Sequence, residues 1–183
     1  MNTLPLHPAV VHLPLGLAML MPIIAVGFAW ALWTGRVRAR AWVAVIALQG
    51  LLVVSGLVAM NTGEREEDRV ERIVQDAALS HHESLAEQFV WSAGATLGLT
   101  GLVLLAGTIK RPGTTRVLIA AAVVGTVGVS AMALRVGHAG GQLVYVHGAA
   151  AAYVAPPAVG PGAGVPAARP TRGDGDDDDH RIQ

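Results

Sequence analysis

From Leu13 to Trp33 the chain carries no charged residue. That run has the length a helix needs to cross the hydrocarbon core of a bilayer, about 20 residues, and it constrains the fold more than any other feature. Three more apolar segments follow, at roughly 41–60, 89–109 and 117–134. With 13–33 they predict an all-α membrane protein, a four-helix transmembrane bundle occupying residues 1–155. Composition agrees, since only 14% of residues are charged, against about 25% in soluble domains. The formal net charge of zero gives no reason to invoke nucleic acid. The absence of cysteine excludes disulfides, iron–sulfur clusters and covalently attached haem. The first apolar run has no basic leader and exceeds the about 7–15 residues of a signal peptide's apolar core, so it reads as a retained span.

Within the spans, Pro14 suits an opening turn and Pro22 is expected to kink the first helix. Gln49, Gly50, Ser55 and Gly56 in the second, Ser92, Gly94, Thr96, Gly98, Thr100 and Gly101 in the third, and Gly125, Thr126, Gly128 and Ser130 in the fourth favour close helix packing. The first short loop holds Arg36, Arg38 and Arg40, and the third holds Lys110, Arg111 and Arg116, neither with an acid. Residues 61–80 are acidic, with Glu64, Glu66, Glu67, Asp68, Glu71 and Asp76. By the positive-inside rule the basic loops are cytoplasmic, and both termini and the acidic loop lie outside a bacterial inner membrane.

Val70, Ile73, Val74 and Ala77 recur at helical spacing, which predicts a short amphipathic helix lying on the outer surface. Ser80-His81-His82-Glu83 has the form of a capping box and is expected to start the third span. His82, Ala86, Phe89, Ala93, Thr96 and Thr100 then share one face, suited to the bundle interior. Gly137 is expected to cap the fourth helix, and the glycine-rich segment from Gly137 to Gly148 to form a loop with a short extended piece. From Pro156 onward, proline, glycine, alanine and the run Asp174, Asp176, Asp177, Asp178, Asp179, His180 predict a disordered tail over 156–183.

This topology delivers His7, His12, His81, His82, His138 and His147 to the outer face from three parts of the chain. Ionisable groups near hydrocarbon are costly and mark functional sites. The candidate ligands are therefore His7, His12, His82, His138 and His147, with Glu83 able to hydrogen-bond and orient a neighbouring imidazole and Arg135 available to a haem propionate. His12 is favoured over His7, which can rest in the headgroup region, and His82 over His81. His138 and His147 can alternatively brace loop carbonyls. An all-imidazole set fits haem iron, copper, zinc or non-haem iron.

His7-Pro8-x-x-Val11-His12-Leu13-Pro14, the His82-Glu83 pair and Gly140-Gly141-x-Leu143-Val144-Tyr145-x-His147-Gly148 together resemble a family of bacterial four-helix membrane proteins catalogued as a domain of unknown function. Its pattern begins HPxxVHFP and closes GGxLVYxHG; Leu13 here stands where that family has phenylalanine. The resemblance spans about His7 to Gly148. Family members are sometimes joined to c-type cytochrome modules, which implies redox work with a cytochrome or similar partner on the outer side. The sequence thus leads to a b-type haem or redox-metal protein for electron transfer. The alternatives are a copper, zinc or iron-binding accessory protein, or a structural, partner-binding subunit. A hydrolase is disfavoured, for there is no nucleophile elbow, HExxH or phosphate-cradling loop.

Overall fold

A computed structural model of the chain describes residues 6–108 and 112–153. These residues form α1 (Leu6–Val10), α2 (His12–Trp33), α3 (Val43–Val70), α4 (Asp76–Thr108) and α5 (Pro112–Tyr145), with 3₁₀ turns at Ala39–Trp42 and Ala149–Tyr153. No strand occurs among the described residues. α1 and α2 make one span, interrupted at Val11. Pro14 explains the break, because it has no amide to give the Val10 carbonyl. The ladder resumes where Leu15 N donates to Val11 O at 3.2 Å. α2 then stays helical through Pro22. It ends at Gly35, whose φ of 70° allows the Arg36 amide to reach Ala31 O at 2.9 Å and the Gly35 amide Leu32 O at 3.1 Å. These are the two bonds of a Schellman cap.

Leu6–Trp33, Ala39–Val70, Asp76–Gly107 and Pro112–Tyr145 are each long and apolar enough to cross a membrane. The chain is an all-α four-helix bundle and a multi-pass membrane protein. α2 packs on α3 and α5, and α4 packs on the same two, so α2 and α4 occupy one diagonal of the bundle. Met21, Trp42, Val45, Leu52 and Val129 fill the middle. Ile23, Val54, Trp91 and Val124 face outward, as a hydrocarbon solvent permits. Polar bonds cross between helices at three levels: Trp42 Nε1 to Thr100 O at 3.0 Å, Gln49 Nε2 to Ala93 O at 3.2 Å and Ser130 Oγ to Ala18 O at 2.6 Å.

Three local expectations are corrected. The surface amphipathic helix does not exist as a separate element, because α3 carries on to Val70 and only 71–75 separate it from α4. Two of its apolar residues close the end of the bundle instead: Val74 is buried with Leu79, Leu143 and Ala149, and Val70 packs against them, while Ile73 and Ala77 are exposed. Ser80 does not cap a helix; α4 begins earlier, with Asp76 in its first turn, where a carboxylate complements the helix dipole. Gly137 does not end α5, which continues to Tyr145 through Gly137, Gly140 and Gly141. A glycine costs a helix about 1 kcal/mol relative to alanine. Burial of Ala139 and Leu143 on this extension and the apolar setting, where backbone groups must bond internally, outweigh that cost. The spans are accordingly longer than the apolar runs alone indicate. The tail from 156 and the loop residues Lys110 and Arg111 lie outside the described residues.

Candidate functional site at the acidic pole

α1, the end of α3, the start of α4, the end of α5 and the Ala149–Tyr153 turn meet at one pole of the bundle. The carboxylate of Glu66, on α3, organises it. Its Oε1 accepts the amides of Leu6 at 2.9 Å and His7 at 3.4 Å, and its Oε2 accepts the Tyr153 hydroxyl at 2.6 Å. The Arg69 guanidinium lies 5.6 Å from the centre of the Tyr153 ring. The start of α1 is thereby fixed against α3.

So fixed, His7 turns its ring inward. Its Nδ1 lies 2.9 Å from Ala59 O. A carbonyl only accepts, so Nδ1 carries the proton and Nε2 of the neutral ring keeps its lone pair. The Thr62 hydroxyl stands 3.3 Å from the same Nδ1 while donating to Ala59 O at 2.8 Å. A ring whose Nδ1–H is held by a backbone carbonyl is prepared to ligate through Nε2.

Across the bundle, on the diagonal helix α4, stands His82, with its ring centroid 6.5 Å from that of His7 and the two planes at 86°. His82 is half buried, and its Nδ1 is enclosed with no hydrogen-bond partner. The backbone carbonyl of Val136 is the polar neighbour of this ring. The other diagonal supplies glycines at the same level. A Cβ on Gly63 of α3 would come within 3.2 Å of His7 Cε1, and one on Gly140 of α5 within 3.2 Å of His82 Cε1. Each corner of the bundle therefore contributes one residue: two imidazoles on one diagonal, two bare backbones on the other.

The remaining sequence candidates do not join them. His12 and His138 are exposed, the latter beside a small cavity of about 230 Å³ with Leu15 and Met19. His147 is half buried beyond the end of α5, and Arg135 is exposed on that helix. Glu83 is exposed, and its charged neighbours are Glu67 and Glu64 of α3 and Glu71 just beyond that helix. His81 points outward, next to the inward His82. Among the described residues, no group of three or more His, Asp or Glu side chains is placed to hold a metal ion. Sequence reasoning missed Glu66, Gly63 and Ala59, none of which carries a motif. A signal for Glu66 existed, since an acid about two turns beyond the apolar run of α3 is well placed to meet the start of α1. No family model, curated protein or solved structure matches the chain.

Proposed function

We propose that this protein holds one redox-active metal between His7 and His82 and passes electrons at the outer face of a bacterial inner membrane. The His7–His82 pair carries the reading. Two imidazoles sharing one ion, each bound at about 2 Å, hold their centroids about 6 Å apart, and these lie at 6.5 Å. The tautomer of His7 and the unpartnered Nδ1 of His82 leave a lone pair available on each ring. Two donors without a third disfavour zinc, which takes four ligands, and non-haem iron, which takes two histidines and a carboxylate. They match a b-type haem, whose ring supplies the other nitrogens, and a copper ion of low coordination number. Gly63 and Gly140 make room for the two rings themselves, because a Cβ at either position would come within 3.2 Å of an imidazole carbon.

His7 and His82 would hold the centre, and a bound haem or copper would supply one-electron chemistry. Ala59 O would keep His7 in its ligating tautomer, and Glu66 would keep α1 in register. The arginine-rich loop at the opposite pole, with Arg36, Arg38 and Arg40, supports an outward-facing site by the positive-inside rule. The resemblance described above supports a cytochrome-like partner there.

Purified protein is expected to contain close to one equivalent of iron with a Soret band and sharp reduced α and β bands, or of copper without them. Both His7→Ala and His82→Ala lose it, while His12→Ala and His138→Ala keep it. Metal-free wild-type protein from iron- and copper-replete cells, folded normally, would sink the idea. One observation favours a second reading, in which the histidines only brace the bundle: His7 already bonds Ala59 O and packs on Gly63. On that reading His7→Ala lowers the melting temperature and changes no metal content.

A further inference from the structure

The opposite pole carries a second feature, unrelated to the histidines. A half-open cleft of about 660 Å³ lies between the ends of α2, α4 and α5 and the Ala39–Trp42 turn. Leu32, Val103 and Ile119 give it apolar walls, and Arg40 and Arg116 stand at its lining with no acid among the lining residues. Neither arginine has a hydrogen bond or ion pair to another described residue, and both are exposed. One wall is held rigidly, because Trp42 is fully buried and its indole N–H is bonded to Thr100 O at 3.0 Å.

The level of the cleft in a bilayer is marked by its neighbours. Trp30 and Trp33 are exposed at the end of α2, and the Arg36 guanidinium lies 4.2 Å from the centre of the Trp30 ring. Exposed tryptophans beside arginine are typical of the headgroup region. A cleft at that depth with apolar walls and two guanidinium groups that no described residue pairs is complementary to an amphiphile with one anionic phosphate and hydrocarbon chains. Guanidinium binds phosphate through paired, charge-assisted hydrogen bonds. Basic recesses between membrane helices recognise anionic lipid headgroups on the same grounds.

We propose that this cleft is a binding site for an anionic phospholipid, its phosphate held by Arg40 and Arg116 and its acyl chains lying along Leu32, Val103 and Ile119. The lipid ties α2, α4 and α5 together at this pole.

The test is a titration of delipidated, full-length protein in detergent, followed by native mass spectrometry, with phosphatidylglycerol, phosphatidylcholine and inorganic phosphate as probes. Phosphatidylglycerol is expected to bind one molecule per chain. The Arg40→Gln, Arg116→Gln double variant weakens it roughly thirtyfold, at about tenfold per 1.4 kcal/mol and about 1 kcal/mol per arginine. The Arg36→Gln, Arg38→Gln pair removes the same charge outside the lining residues and keeps the affinity. Gly107 lines the cleft with open space around its Cβ position, so Gly107→Trp is expected to place its indole in the cleft and block the lipid, with the melting temperature checking that the variant is folded. Equal affinity of wild type and double variant for phosphatidylglycerol overturns the proposal. So does phosphatidylcholine binding as tightly, or inorganic phosphate displacing the lipid at equal concentration.

Discussion

Glu66 Oε1 accepts the Leu6 and His7 amides while Oε2 accepts the Tyr153 hydroxyl, so one carboxylate joins the start of α1 to the last described turn. Partial burial pushes the Tyr153 phenol up from 10.0 to about 12, helped by the hydrogen bond to Glu66 and its negative charge and opposed by Arg69. The folded state thus favours the neutral phenol. The stability this contributes is complete below pH 10 and disappears as pH rises through about 12. Titration of phenol absorbance is expected to show one tyrosine ionising near 12 in the folded protein, and Tyr153→Phe to abolish that late step. The variant also flattens the alkaline fall in melting temperature. At this scale the sequence revealed some residues and not others. Helical periodicity required that only one of His81 and His82 face inward and favoured His82 without fixing the choice. It ranked His12 above His7 because the first helix was expected to begin at the apolar run, and the extra turn α1 depends on a distant acceptor, Glu66.

Helix contacts in this bundle are set by a few glycines, not by every small residue. A Cβ on Gly125 of α5 would lie 2.9 Å from Thr96 Oγ1 of α4, and one on Gly56 of α3 would lie 3.3 Å from Val90 Cγ2. Gly94, Gly98, Gly101 and Gly128 have nothing within 4 Å of that position. Gly125→Ala is therefore expected to destabilise the protein by about 1–3 kcal/mol, the usual cost of overpacking. Gly128→Ala is expected to stabilise it by up to about 1 kcal/mol through helix propensity. Thermal unfolding of both variants in one detergent checks the pair, and equal effects would show that the close approach at Gly125 does not matter. Small residues at intervals of three or four were visible in the sequence, but which of them touch another helix depends on the crossing geometry. The same limit explains α5. Gly137, Gly140 and Gly141 read as a loop by local preference, whereas burial of Ala139 and Leu143 keeps them helical.

Charge divides the whole molecule into an acidic pole at 64–76 and a basic pole at 36–40 and 116, with apolar helices between them. That division, and with it the number of spans, could be read directly from composition along the chain, because the bilayer imposes a length and forbids charge. The site was harder to read, since it depends on how diagonal helices face each other. With no native cysteine, Arg38→Cys and Asp68→Cys report orientation cleanly. A membrane-impermeant thiol reagent applied to intact cells with the outer membrane permeabilised is expected to label the second and spare the first. The reverse pattern would place the histidine pair on the cytoplasmic side.

The fastening at Glu66 has a consequence for biogenesis. The ribosome makes His7 before Glu66 and His82, and Gly140 and Tyr153 after them. The earliest residue of the site therefore has nothing to orient it until α3 has been inserted, and the carboxylate that does so is fully engaged only when Tyr153 arrives. A partly synthesised chain in the translocon cannot assemble the pair, so on the function proposed above a cofactor would be captured only after all four helices are in place.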